Sequence, residues 1–281
     1  MIRRLSFFFI IVSLLFGVGF WYLSDGFSVN KIRIPFSFNP DWEVETTLSP
    51  VEIRRLLSQT FNYLGKGSHA FIFVSEDQQY ILKFFRFSRY SLEPIQKIFP
   101  LPKDLAAIQS QNIKEKALSQ NNFCMSCKLA YEYLKEECQI IYLHLNKTTY
   151  LKQNLTLYDN LKRSISIPID HYAFVVQRRG KQIYPYLDEL LKERKTQQIQ
   201  NAFISLSSLL NKQIAKGLVN NCTDIDKNIG FFKGKAMFFD VGQFNQMTED
   251  YDVKKSIDKL LIWLNKRDSK LASDARMILN L

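Results

Sequence analysis

From Leu5 to Leu23 the chain reads LSFFFIIVSLLFGVGFWYL, nineteen positions without a charged side chain. At about 1.5 Å rise per residue the run predicts a helix of about 28 Å, close to the thickness of a bilayer's hydrocarbon core. It has no polar face on which a helix could rest against water. Arg3 and Arg4 precede it, and Trp21 and Tyr22 stand at its far end. That flanking predicts a transmembrane signal anchor over residues 1–24, with the N-terminus cytosolic and the C-terminal domain on the far side. WYLSDGFS offers no A-x-A-like cleavage site, so the anchor is expected to be uncleaved. Residues 25–48 contain Pro35 and Pro40 and lack a helical period, which suits a stalk or a strap against the domain.

The period then changes. Ser49-Pro50 opens a short helix to about Ser58, serine as its N-cap and proline at its first position. Phe61 and Tyr63, then Phe71–Val74, then Tyr80–Phe85 form three short apolar runs separated by turn residues, a meander of three strands. The stretch of about 86–125, with Pro94, Pro100 and Pro102, is expected to be an insertion. A helix over about 126–145 follows, with Ala130, Leu134, Cys138, Ile141 and Leu145 as its stripe. Two strands, 164–169 and 172–177, lead into a mostly helical half with helices near 187–193, 198–216 and 253–281. A strand-like interruption lies at 230–241. The organisation predicted is α+β, with a β-rich lobe over 49–180 and a helical lobe over 181–281.

Composition narrows the function classes. Lys+Arg 38 against Asp+Glu 27 gives a net charge of +11, and 46% hydrophobic residues indicate a packed core. The positive charge is spread along the chain, so nucleic acid is not an expected partner. Four cysteines and three histidines form neither paired CxxC knuckles nor an HExxH, which speaks against zinc. Cys124-Met125-Ser126-Cys127 lacks a thioredoxin-like βαβ setting, leaving a structural disulfide or two unpaired thiols ahead of a redox pair. His69, His144 and His171 receive no role.

Three motifs fall at matching places in this plan. Leu64-Gly65-Lys66-Gly67-Ser68 lies in the first strand-turn-strand, where glycines let backbone amides approach phosphates. Lys83 lies in the third strand, within Ile-Leu-Lys-Phe. Later come Asp224-Ile225-Asp226-Lys227-Asn228-Ile229-Gly230 and, twelve residues after Asn228, Asp240-Val241-Gly242. In order and spacing, about residues 60–245 resemble the protein-kinase-like superfamily, which includes protein kinases and aminoglycoside-phosphotransferase-type kinases. The resemblance implies a two-lobed kinase-like fold, with a small β-rich N-lobe carrying one main helix and a helical C-lobe. It implies ATP and Mg²⁺ as cofactors, and a protein or small-molecule hydroxyl as acceptor. Gly65 and Gly67 look like the glycine-rich loop, Lys83 like the strand lysine, Asn228 like the catalytic-loop asparagine and Asp240 like the metal-binding aspartate of D-F-G.

The lysine's helix partner should be a glutamate, and Glu132, Glu136 and Glu137 are candidates. At about 100° per residue, Glu137 falls roughly 60° from the centre of the apolar stripe and the others about 160°, which selects Glu137. The pattern departs at the base: five residues before Asn228 stands Thr223, and the preceding H-R pair is absent. Asp224 or Asp226 would have to orient the acceptor in its place. The expectation is therefore a membrane-anchored phosphotransferase or, equally, a pseudokinase serving as a membrane-tethered binding or scaffolding module; a non-kinase receptor or adhesin is the third reading.

Overall fold

The computed structural model describes residues 19, 22–87, 103–220, 225–247 and 254–279. The chain is a mixed α+β protein that divides into two compact units. One takes Met1–Pro40, Glu45–Ala117 and His144–Val176; the other takes Asp41–Val44, Leu118–Leu143 and Gln177–Leu281.

The first unit is built around a sheet. Helix α1 (Pro50–Leu57) starts at Ser49, whose side chain accepts from the Glu52 amide while Glu52 returns a bond to the Ser49 amide, a complete capping box. The meander follows as β1 (Phe61–Lys66), β2 (Ala70–Ser75) and β3 (Tyr80–Phe85), close to the runs read from the sequence. After α2 (Lys103–Tyr133) come β4 (Ile140–His144), β5 (Asn154–Tyr158), β6 (Ser164–Pro168) and β7 (Phe174–Arg178). Within the first unit the sheet order is β7-β3-β2-β1-β5-β6, with β1 parallel to β5 and the β1-β2-β3 and β5-β6 neighbours antiparallel. Phe61, Phe71, Phe73, Leu82 and Phe84 are fully buried.

The segment after Leu23 is a strap. Phe27 packs edge-on against Phe71 and Phe73, with ring centres 5.1 and 5.3 Å apart. Tyr63 donates its hydroxyl to Asp25 at 2.7 Å, and the Ile34 amide donates to His171 O at 3.1 Å. The Asn146 side chain holds the Asn39 backbone twice, its Oδ1 accepting from Asn39 N–H at 3.0 Å and its Nδ2 donating to Asn39 O at 2.9 Å. Phe27, Ile32 and Ile34 are buried, each contributing about 1.5–3 kcal/mol, far more than a free stalk would gain.

The second unit is mainly helical: α3 (Ile183–Lys192), α4 (Thr196–Ala215), α5 (Lys254–Asn265) and α6 (Ser269–Ile278). Along α4, Ile199, Ala202, Phe203, Leu206 and Leu209 recur at three- and four-residue spacing and are buried. The strands β8 (Lys181–Gln182), β10 (Ile229–Phe232) and β11 (Lys235–Phe238) form one small sheet, and β9 (Leu218–Asn220) pairs with β12 (Phe244–Gln246).

Two expectations are corrected. The first is the membrane-spanning element, and with it the single-pass localisation. Among the described residues no helix is long and apolar enough to cross a membrane. The 31-residue α2 has the length but carries Lys103, Asp104, Lys114, Glu115, Lys116, Lys128 and Glu132. The run Leu5–Leu23 itself lies outside the described residues except for Gly19, Tyr22 and Leu23.

The second correction is the helix of about 126–145. The helix ends at Tyr133, and Ile140–His144 is strand β4. The turn between them closes with Ile140 N–H on Lys135 O at 2.9 Å and Gln139 N–H on Glu136 O at 3.1 Å, and Gln139 sits at φ 51°. This is a Schellman-type stop made with glutamine at the left-handed position that glycine usually fills.

Candidate functional site

In the first unit β1 and β2 close a tight hairpin whose turn carries Gly67. The Gly67 amide donates to Ala70 O at 2.8 Å, the Arg86 amide donates to His69 O at 2.8 Å, and Arg86 Nη1 reaches Gly67 O at 3.3 Å. The pairing slips between Tyr63 and Gly65, leaving Leu64 as an extra, exposed residue. Beyond this bulge Gly65 pairs with Ile72, and Ile72 pairs on its other side with Lys83. Residues paired across neighbouring strands project to one face, so Gly65, Ile72 and Lys83 form a row across three strands, about 10 Å from end to end. A Cβ added at Gly65 would meet nothing within 4 Å. The face therefore offers open backbone at one end and an ammonium group at the other.

Asp25 lies beside the same hairpin and pairs with Lys66 at 2.5 Å. Burial pushes its carboxyl up, but the bonds from Lys66 and Tyr63 outweigh this and hold it below the usual aspartate value.

In the second unit the β10–β11 hairpin brings two more candidates to one end. Ile229 pairs with Phe238, and just outside that pair Phe239 N–H donates to Asn228 O at 2.6 Å. Asn228 is buried and Asp240, one residue beyond Phe239, is half-buried. Asp240 Oδ1 accepts the Gly242 amide at 3.1 Å, an Asx turn that sets the local chain direction. An amide and a carboxylate supply hard oxygen donors, the type Mg²⁺ takes. Asp224 lies outside the described residues, as does the side chain of Asp226. Among the described residues no group of three or more His, Cys, Asp or Glu is arranged to hold a metal.

Glu137 is the buried member of the three glutamates considered, while Glu132 and Glu136 are exposed. The angular argument selects the right residue for burial, but Glu137 lies in the turn after α2. Its carboxylate is engaged within its own unit by Lys212 at 3.2 Å and Lys216 at 3.3 Å. Burial pushes this carboxyl up, yet its own backbone amide and the two lysines win, and its pKa lies below the usual glutamate value. Its backbone O accepts from Phe238 N–H at 2.9 Å, so the turn also holds β11.

Two positioning residues escaped the sequence reading. Ser126 Oγ donates to Val241 O at 3.3 Å and accepts from Phe244 N–H at 2.6 Å, clamping the segment that follows Asp240. Gln177 Nε2 donates to Cys138 O at 2.7 Å and to Phe238 O at 3.4 Å. The signal for Ser126 was present but misdirected, because it stands inside the Cys124–Cys127 pair. Both cysteines are buried, and burial pushes Cys124 up to about 12, which makes it a poor nucleophile.

No family model and no curated protein matches the chain. Among solved structures it is similar to the high-resolution (2.2 Å) crystal structure of WbdD, with a TM-score of 0.34 and 10% identity over 76% of this chain and 44% of that one. The chain thus corresponds to less than half of that structure's length, and a likeness this loose decides neither fold family nor activity.

Proposed function

We propose that the chain is a protein-kinase-like nucleotide-binding protein that takes Mg-ATP. The observation that carries this reading is the row Gly65–Ile72–Lys83 on one face of the first unit's sheet. A lysine on the third strand, in register with an open glycine on the first, is the arrangement a phosphate-binding strand lysine needs. The second unit supports it with Asn228 and Asp240 at one end of the β10–β11 hairpin. In this reading Gly65, Gly67 and Lys83 contact phosphates and Asn228 and Asp240 hold the metal, while Asp224 or Asp226 orients an acceptor hydroxyl. The metal would neutralise charge developing on the transferred phosphoryl group.

A second reading is a pseudokinase that binds without transfer. It is favoured by Thr223 at the base position and by the engagement of Glu137 with Lys212 and Lys216. Thermal unfolding of the full chain with and without Mg-ATP tests the shared part. At 100 times Kd the nucleotide should add about 2.7 kcal/mol, and Lys83→Ala and Asp240→Asn should each shrink the shift. A folded wild type with no shift at millimolar Mg-ATP overturns the proposal. Transfer assays on wild type, Asp224→Asn, Asp226→Asn and Thr223→Asp then separate enzyme from binder. Wild-type turnover lost in one asparagine variant supports the enzyme; an inert wild type that still binds supports the pseudokinase.

A further inference from the structure

His144, at the end of β4, belongs to a buried chain of polar groups in the first unit. Its Nδ1 lies 2.8 Å from Tyr172 O, and its Nε2 lies 3.0 Å from Thr148 Oγ1. Thr148 Oγ1 donates to Asp170 Oδ1 at 2.5 Å. The same carboxylate accepts the Leu151 amide at 3.1 Å and the Lys152 amide at 2.8 Å. His144, Thr148 and Asp170 are each more than nine-tenths buried.

The proton count follows from what each atom can do. A carbonyl oxygen only accepts, so His144 Nδ1 carries a hydrogen. The single hydroxyl hydrogen of Thr148 is taken by Asp170. Nε2 therefore faces an oxygen lone pair and must carry a hydrogen as well. A neutral His144 with a protonated Asp170 would hold the same number of protons. In that arrangement, however, two backbone N–H groups would point at a carboxylic acid, although such bonds favour the ionised form.

We propose that His144 is a buried imidazolium at neutral pH, joined through Thr148 to the Asp170 carboxylate, and that loss of its proton loosens the strap and the 147–152 loop. The elements involved are the ones that hold the strap. Ile34 N–H donates to His171 O, Arg33 forms a bridge with Tyr172, and Thr148 N–H donates to Asp170 O. Ile34–Phe38 of the strap and Lys147–Tyr150 of the loop together line a cavity of about 740 Å³. The proton thus controls the walls of a cavity as well as a stretch of chain.

Other titratable groups on the surrounding elements are Tyr150 and Tyr172, Lys147 and Lys152 on the loop, His171 on the turn and Arg33 on the strap. Asp170 supplies the carboxylate. Burial pushes that carboxyl up, but Thr148, the two amides and the charge of His144 hold it below the usual aspartate value. A histidine cation stabilised by folding lends stability that is full below its unfolded value of about 6.5 and is lost as pH rises through the folded value.

Ring-¹⁵N-histidine NMR of the full chain at pH 7.5 tests the assignment. Both ring nitrogens of His144 should be protonated, with its signals identified by their absence in His144→Gln. Asp170→Asn should remove the second proton at the same pH. If that variant does not fold, Thr148→Val should do the same and Thr148→Ser should restore it. The wild-type melting temperature should fall between pH 6 and 9, and His144→Gln should lose that slope. A bare ring nitrogen on His144 in the folded protein at pH 6.5, or an unchanged slope in His144→Gln, overturns the proposal.

Discussion

Two pairs of glycines, Gly65 and Gly67 in the first unit and Gly230 and Gly242 in the second, do opposite work. In the first unit, Gly65 has no neighbour within 4 Å of where a Cβ would stand, and Gly67 has only Ala70 O, at 3.9 Å. In the second, a Cβ on Gly230 would lie 2.0 Å from Phe239 Cζ and 2.5 Å from Lys181 O; one on Gly242 would lie 2.1 Å from Phe123 Cε2. A glycine beside open space leaves room for something to approach the backbone, whereas a glycine beside an aromatic ring is a packing decision. The sequence motifs around Gly67 and Gly230 look equally loop-like, and only their neighbours separate the two uses.

The largest effect should come from Gly230→Val. Added carbons would drive into Phe239 and the β8 backbone, and overpacking on this scale costs about 3 kcal/mol. Urea unfolding should show it, and Phe239→Leu in the same chain should recover part of the loss. A Gly230→Val protein as stable as wild type would break the distinction between the two sets of glycines.

Next is Ser126→Ala. It strips Val241 O of a donor and Phe244 N–H of an acceptor, both in a buried setting. Leaving such groups unmatched costs about 2 kcal/mol. If the segment after Asp240 holds a metal ligand, the variant should also weaken the Mg-dependent part of the nucleotide shift. Loss of stability with an unchanged Mg dependence would leave Ser126 a purely structural clamp.

Legibility divides along the same line. The β1–β3 meander and the Ser49 cap of α1 depend on neighbours close in sequence, and period and capping chemistry reveal both. Strand β4 was hidden because the turn before it places Gln139, with no glycine to mark it, in the left-handed conformation, so the apolar stripe read on as helix. Arg194, at φ 54°, ends α3 in the same unmarked way, whereas Gly217, at φ 65°, ends α4 where glycine would be expected. Within the candidate site, Gly65 and Lys83 were legible because two hairpins align them. The partners of Glu137 lie 75 and 79 residues further along the chain, and helical angles carry no information about them.

Glu137→Gln probes that long-range part. Its carboxylate is buried while Lys212 and Lys216 are half exposed, so solvent screening discounts the pair to about 1–2 kcal/mol. The sign with pH is definite. A carboxyl held low in the fold stabilises above its unfolded value of about 4.3, and the contribution is lost as pH falls through the folded value. Urea midpoints of wild type and Glu137→Gln should therefore differ at pH 7 and converge near pH 3. A gap that persists in acid would mean that shape, not charge, holds the turn.

The smallest change in stability should come from Gly67→Ala, and it separates the units most sharply. Ala70 O at 3.9 Å is an ordinary contact for a methyl group, and Gly67 is not among the glycines with left-handed φ. The cost to the fold should stay within about 0.5 kcal/mol, and reduced freedom of the unfolded chain can offset it. Any cost to function would come from the bound state, because a methyl on an exposed hairpin turn keeps a phosphate away from the backbone amides. Melting temperatures of Gly67→Ala should thus match wild type without ligand and fall behind it with Mg-ATP. Equal shifts in both proteins would mean that the open space at this hairpin is not where the nucleotide sits, and the row Gly65–Ile72–Lys83 would then have to stand without the turn beside it.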